Sequence, residues 1–502
     1  MNEITESLKP VLALACPASA ALLILMSNRW PNLRESWTLI GSVVQFLIIL
    51  SMAPVIINGE RIECYLFREM LPGVHFGFRV DAFGLLFAIT ASSLWILVSI
   101  YSIGYMRALQ EHAQTRYYFC FALAILGAVG VALSGNLVTM FIFYEILTLS
   151  TYPLVAHEQS PEALFAGRKY LAYLLTSGVF FLAAIAWTYS LAGTTDFIPG
   201  GILRPVSLFQ STLFVLFILF LIGFMKAAYI PFHSWLPTAM IAPTPVSALL
   251  HAVAVVKAGV FGIVRIVVYV YGTDLMWELG LGIMLSSFAA VTMIGASLFA
   301  IAQDNLKRRL AYSTISQLSY IIFGVALLTP MGITGAMIHI PFHGFMKITL
   351  FLCAGSILVS TGKRNISEMA GIGRTMPITM LAFAVGSLGM CGIPPVSGFI
   401  SKWFLGLGTL QAGKLSLLGV LLISSFLDVV YFFPILYLAF FAKPAETESM
   451  VIERKCIKEA PLSMVVPLTM TAFFSIVFMF PNPVTDLFLN LARTAVGQLG
   501  GG

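Results

Sequence analysis

Charge is what this chain has least of. Asp, Glu, Lys and Arg make up only 10% of its 502 residues, against roughly a quarter in soluble domains, so a water-facing globular surface cannot be built from it. Its six cysteines (Cys16, Cys64, Cys120, Cys353, Cys391, Cys456) include no CxxC and have no histidine at ligand spacing. That scatter excludes a disulfide framework and points to no iron–sulfur cluster, no structural zinc and no other cofactor or redox centre in this chain. The net charge of +6 is modest and gives no footprint for nucleic acid. No Gly/Ser linker or low-complexity tract divides the sequence, which reads as a single membrane domain over 1–502. The opening MNEITESLKP leads into an apolar run without a small-residue cleavage site, so it is expected to be a first span and not a removable signal.

What is there is hydrocarbon: 59% of residues are hydrophobic and the mean hydropathy is +0.94. A spanning helix needs about 20 mostly apolar residues. Such runs lie near 10–28, 36–57, 82–106, 117–134, 137–156, 170–192 and 207–230, then near 245–271, 276–302, 310–329, 332–360, 377–409, 415–442 and 462–480. The expected fold is therefore an all-α polytopic membrane protein of about 14 transmembrane helices, with both termini on one side of the lipid bilayer. Sixteen basic residues fall in loops on the opposite side, among them Lys307, Arg308, Arg309, Lys363, Arg364 and Arg374, against seven on the side of the termini. The positive-inside rule then predicts a protein of the cell (cytoplasmic) membrane with both termini outside.

Two spans are broken. Span 7 runs into Ala228-Tyr-Ile-Pro-Phe-His-Ser-Trp-Leu-Pro237, and span 12 is interrupted by Gly392-Ile-Pro-Pro-Val-Ser-Gly398. Proline removes a backbone donor, and a broken backbone at membrane depth is tolerated only inside protein or along a wet cavity. The breaks lie five spans apart, an odd number, so a five-span unit and its copy would have inverted topology, as in transporters that bind ions near the midplane. The division expected is 1–116 for the N-terminal helices 1–3, 117–271 and 276–442 for two inverted five-helix repeats with broken helices 7 and 12, and 443–502 for a loop and the last helix.

Five bases and two acids fall inside the spans: Lys226, Lys257, Arg265, Lys347, Lys402, Glu145 and Asp428. Each carries a cost of about 2.5–3.5 kcal/mol at the bilayer centre and so marks a candidate site. Arg265 reads as structural, snorkelling or pairing with a backbone carbonyl. Asp428 is open between a partner for a buried base and a site in its own right. Histidines add His233 at the first break, His251 in span 8, and His339 and His343 in span 11. His339, His343 and Lys347 recur at i, i+4 and i+8, forming a stripe along one helix face. Lys257 stands about 240° around a regular helix from His251, so those two meet only if the helix is distorted. His339 and His343 form an HxxxH pair without the adjacent glutamate or a third ligand, which argues against metal. Burial disfavours a lysine's charged form and a nearby carboxylate restores it, so a lysine with a movable acid partner is a proton switch. Glu145 and Lys226 are the candidate pair.

Beyond these groups, the run from Lys226-Ala-Ala-Tyr through Ala242-Pro-Thr-Pro-Val-Ser-Ala-Leu-Leu-His to Val256-Lys-Ala-Gly259 resembles the antiporter-like, proton-conducting membrane subunits of respiratory complex I, Mrp-type sodium/proton antiporters and membrane-bound hydrogenases. Val80-Asp-Ala-Phe-Gly, Asp304-Asn-Leu-Lys-Arg-Arg-Leu-Ala-Tyr-Ser-Thr-Ile-Ser-Gln317, His343-Gly-Phe-Met-Lys and Gly392-Ile-Pro-Pro-Val-Ser-Gly-Phe-Ile-Ser-Lys402 extend the likeness over roughly 80–410. The resemblance implies that Glu145 and Lys226 are the family's glutamate–lysine pair, Lys257 its central lysine and Lys402 its terminal residue. His251, His339, His343 and Lys347 would relay protons, with Asp428 as a partner. Thr238, Ala239 and Met240 stand where the family usually has Asp, Ala and His, so the surface uptake group of the family is missing here. Lysine at 402 resembles the D-type component of Mrp antiporters and some complex I subunits, whereas the middle complex I subunit of this type usually has glutamate there.

The function expected from this resemblance is a proton-translocating subunit of a multi-subunit cation/proton antiporter or related hydrogenase complex. Its partners would be other membrane subunits, with protons and sodium as the candidate ions. The alternative is a core pumping subunit of NADH:quinone oxidoreductase, a translocase whose redox chemistry would lie in other chains. A non-conducting scaffold is disfavoured by the buried charges, because apolar side chains would serve it better, and a small-solute carrier by the lack of a recognisable substrate pocket.

Overall fold

The computed structural model describes residues 4–203, 210–443 and 457–499. Arg204, Arg454 and Lys455 of the charge count, Cys456, the first residues of span 7 and most of the 443–461 loop lie outside them. Among the described residues, ten helices are long and apolar enough to cross a membrane.

The helices are α1 (Lys9–Met26), α2 (Pro31–Leu50), α3 (Ala82–Ala108), α4 (Gln114–Leu133), α5 (Leu137–Val155), α6 (Pro161–Ala192) and α7 (Gln210–Gly223), followed by α8 (Thr244–Tyr271), which contains two π-helical turns. After these come α9 (Leu281–Ile301), α10 (Leu306–Ala326), α11 (Pro330–Thr361), α12 (Pro377–Cys391), α13 (Gly398–Gln411), α14 (Leu415–Phe440), α15 (Leu462–Val477) and α16 (Pro483–Gly497). The segments read from hydropathy fall on α1 to α15, with α12 and α13 as the two halves of span 12. α10 is 21 residues long and nearly all buried, although its polar content keeps its hydropathy low.

Two features were not expected from the span plan, and the first of them departs from an all-α fold. The 58–81 loop, read only as polar, contains a hairpin of β2 (Arg61–Leu71) and β3 (Val74–Val80), with β1 (Ile4–Glu6) added in parallel to β2. The Arg79 Nε–Glu63 Oε1 pair, 2.7 Å apart, ties the two hairpin strands. The second is α16, an amphipathic helix after the last span, whose buried Phe488, Leu491, Ala492 and Ala495 face the bundle and pack on α3 and α11.

Burial is inverted relative to a soluble protein. Val179, Val291 and Phe426 are more than 60% exposed, while Lys226, Lys257, Lys347 and Asp428 are wholly buried. Apolar side chains outside and charges inside suit a hydrocarbon solvent, and this is a multi-pass membrane protein.

The two five-helix segments share a register. Asn136 and Asn305 cap α5 and α10 through the N–H groups of Thr139 and Arg308. α6 and α11 are each 32 residues long, begin with a hydroxyl cap before proline (Ser160, Thr329) and end on a left-handed glycine, Gly193 or Gly362. Isolated bridges join Asn136 to Asp196 and Asn305 to Asn365. Every one of these pairs is separated by 169 positions (305 minus 136, 362 minus 193).

Candidate functional site

The buried charges sit where helices are interrupted. After α7 the chain makes a short 3-10 turn, Met225–Ala227, and reaches a left-handed Ala228. The carbonyls freed there are not left bare. Tyr144 Oη and Ser177 Oγ donate to the Gly223 oxygen, Tyr229 Oη to that of Leu221, and Trp235 Nε1 to that of Met225 at 3.2 Å. Side chains thus replace the helix ladder, the condition for broken backbone at membrane depth. The turn lies against α8 at Gly259, where a Cβ would stand 2.2 Å from the Ala227 nitrogen. Only glycine admits so close an approach.

Lys226 projects from this turn. Its Nζ donates to the Tyr144 carbonyl and lies 3.1 Å from the centre of the Tyr144 ring. Glu145, the next residue on α5, acts on Lys226 electrostatically but does not reach the 4.0 Å of an ion pair. Its carboxylate lies over Gly178 of α6, and its Oε1 is buried without a hydrogen-bond partner. A side chain at 178 would take that space.

In α8 the π-helical turn Leu249–Val253 ends at Ala254, with φ −118° and ψ −77°. This is the distortion that a regular helix would have needed. His251 and Lys257 do not touch each other, but both face α11: the His251 ring lies 4.7 Å from that of Phe351, and Lys257 Nζ is 2.8 Å from His343 Nδ1. From His343 the series continues along the predicted stripe. The His339 and His343 rings are stacked at 5.6 Å, and His339 Nδ1 is 2.8 Å from Ser401 Oγ, one residue before Lys402. Lys347 turns aside to α10, donating to Ser313 Oγ and, at 3.4 Å, to the Leu310 carbonyl.

Lys402 is near the start of α13, just past the second break. Its Nζ donates to Asp428 Oδ2 at 2.7 Å, to the Met390 carbonyl at 2.8 Å and to Ser425 Oγ at 3.2 Å. Asp428 also accepts from Gln317 Nε2 at 2.8 Å and from Tyr431 Oη. It is therefore the partner of a buried base. Close pairing with added hydrogen bonds is what allows two buried charges to coexist.

The structure revises the reading of Arg265. It neither snorkels nor relies on a backbone carbonyl; its guanidinium makes a bidentate pair with Asp81, with Nη2–Oδ1 at 2.8 Å. Asp81 also caps α3 through the Gly84 N–H. The aspartate of Val80-Asp-Ala-Phe-Gly thus fastens α3 to α8. At the first break, His233 is partly exposed and stacks at 6.0 Å on Phe299, apart from the buried series. Thr238, in place of the family's acid, accepts from Lys169 Nζ at 3.1 Å.

Sequence reasoning gave no role to Tyr144, Ser313, Gln317 or Ser401, although the last three fall inside motifs that carry the resemblance. Uncharged polar residues are common in these helices, and only their partners mark them. Further signals are the adjacency of Tyr144 to Glu145 and of Ser401 to Lys402.

The family described as "NADH:quinone oxidoreductase/Mrp antiporter, TM" matches residues 134–428, and "NADH-Ubiquinone oxidoreductase (complex I), chain 5 N-terminus" matches 72–118. NADH-quinone oxidoreductase subunit N of Desulforudis audaxviator is 32% identical over 430 residues, 84% of either chain. The A-type component of the Na(+)/H(+) antiporter of Alkalihalophilus pseudofirmus is 30% identical over 93% of this chain, which spans only 60% of that protein. Among solved structures, a chain of the Mrp complex from Dietzia sp. superposes with a TM-score of 0.85 at 23% identity, covering 99% of this chain and 98% of that one. A chain of the membrane-bound sulfane sulfur reductase, an archaeal respiratory membrane complex, gives 0.84 at 25% identity, covering 98% of each.

Proposed function

The chain belongs to the NADH:quinone oxidoreductase/Mrp antiporter transmembrane family, and on that footing we propose that it is the proton-translocating subunit of a multi-subunit, ion-pumping membrane complex. The observation that carries this reading is the buried series Lys257–His343–His339–Ser401–Lys402–Asp428, in which successive groups touch, stack or adjoin along the chain. Each nitrogen or oxygen in it exchanges protons, and apolar helices have no other use for such a row.

Lys226 and Glu145 form the input side. The carboxylate has no hydrogen-bond partner on Oε1 and the amine rests on Tyr144, so a modest side-chain movement brings the acid to the base or takes it away. Such a movement holds or releases one proton. No hydrogen bond joins Lys226 to Lys257 among the described residues, so this gap is the step that the switch controls. Lys402 with Asp428 forms the far end.

The membrane is the cytoplasmic one, with termini outside and the Lys307–Arg309 turn inside, on the loop-charge bias. The equal coverage of subunit N favours a second reading, a core pumping subunit of a quinone-reducing assembly. Both readings share the same proton series.

The test is proton uptake by the assembled complex in vesicles. Lys257→Ala and His343→Ala are each expected to lower it by about 100-fold, the scale of a lost proton-transfer group, with assembly unchanged. Near-normal uptake in both variants removes the series from the mechanism.

A further inference from the structure

The turn between α3 and α4 holds a second group of titratable side chains, remote in sequence from the buried series. Glu111 and His112 lie in that turn, and His157 is the second residue past the end of α5. One donor atom from each lies within 4.8 Å of the others. His157 is wholly buried, and neither of its ring nitrogens has a hydrogen-bond partner. Glu111 Oε2 lies 3.8 Å from its Nε2, and the His112 ring is 4.8 Å away, centre to centre. Buried imidazole nitrogens are normally satisfied, so a histidine sealed from solvent yet aimed at a carboxylate and a second imidazole calls for a ligand.

We propose that Glu111, His112 and His157 bind a divalent transition-metal ion of the zinc class. Two imidazoles and one carboxylate are the donor set of three-ligand zinc sites, which keep a fourth position for water. Nitrogen donors select zinc, copper or nickel over magnesium and calcium. Tetrahedral bonds of about 2.0–2.2 Å require the donors to draw together by roughly an ångström, and His112 is exposed and free to swing. The buried ligand is already held: Arg116 Nη2 donates to the His157 carbonyl at 2.9 Å, and the Tyr117 ring meets the imidazole edge-on at 5.9 Å.

Glu111 also lines a cavity shared with Glu158 and Lys307. Bound metal would staple the α3–α4 turn to the end of α5, the helix that carries Glu145. Sequence spacing raises the question of metal only at His339 and His343. The pattern Glu-His at 111–112 and a lone histidine 45 positions later (157 minus 112) has no recognisable ligand spacing.

The experiment is titration of the purified, chelator-stripped complex with Zn2+ alone, followed by Co2+ substitution and its visible absorption. Wild type is expected to bind one zinc per copy of this chain, with a tetrahedral Co2+ spectrum. His112→Ala and Glu111→Gln change residues outside the core, so their folding is not at risk, and each should weaken binding by at least about 100-fold. His157→Asn should abolish the spectrum, and His75→Ala, at a distant histidine, should leave both readouts unchanged. Equal zinc binding in His112→Ala and Glu111→Gln, an octahedral Co2+ spectrum in wild type, or no binding at excess zinc overturns the proposal.

Discussion

Lys402 illustrates how much a single buried charge depends on its setting. Its amine is satisfied by one carboxylate, one carbonyl and one hydroxyl, and Asp428 is satisfied in turn by Gln317 and Tyr431. Removing one member leaves the other charge buried and uncompensated, a penalty of about 3–5 kcal/mol, unless it releases or takes up a proton. Lys402→Ala is therefore expected to stop proton transport while membrane insertion and partner binding persist. Asp428→Asn should do nearly the same, because the lysine then lacks the carboxylate that retains its proton. Transport rates in vesicles beside recovery of the intact complex measure both, and near-normal rates in Lys402→Ala take this residue out of the path. The charged residues here were legible because a membrane makes every charge conspicuous. Asp428 could be read as a partner but not matched to its base, since the two are joined by the packing of α13 on α14. Gln317 and Ser401 lie inside motifs that carry the resemblance, but no role could be read for them because an uncharged polar side chain costs little wherever a carbonyl is near.

At the scale of elements, two glycines separate architecture from mechanism. At Gly178 an added Cβ would meet the tip of the Glu145 side chain at 2.6 Å, whereas at Gly259 it would meet the backbone of the broken α7 at 2.2 Å. A flexible carboxylate can move and a packed backbone cannot. Gly178→Ala should thus leave thermal stability within about 1 kcal/mol but displace Glu145 and slow transport. Gly259→Val should lower stability by about 1–3 kcal/mol or more, as overpacking does. Thermal unfolding of the solubilised protein beside transport assays distinguishes them, and the reverse pattern would show that Glu145 is not poised over Gly178. Both helix breaks were legible from their prolines. The π-helical turn of α8 was not, since Leu249–Val253 carries neither proline nor glycine; the turn is set by packing against α11. The hairpin over Arg61–Val80 was hidden because one short ribbon does not stand out beside so many apolar helices.

For the whole molecule, orientation rests on loop charge. Cysteines introduced at Lys363 and, separately, at Arg493 test it in intact cells. An impermeant reagent is expected to label position 493 and to spare 363, and labelling of 363 from outside reverses the assignment. The span plan was readable from hydropathy because length and apolarity are what a bilayer selects. The common register of the two halves was not, because it survives in caps, helix lengths and terminal glycines while the side chains between have diverged.

That register has an electrical consequence. Displaced by 169 positions (347 minus 178), Gly178 falls on Lys347, and Tyr144 falls on Ser313, which accepts from Lys347. In the first half the seam between the second and third helices is plugged by an anion from one wall, and in the second half the corresponding seam is plugged by a cation from the opposite wall. Loosening both seams together would bare charges of opposite sign at two separated points. The molecule's dipole moment would change while its net charge stayed constant, so a voltage across the bilayer could bias the two seams without any ion having crossed.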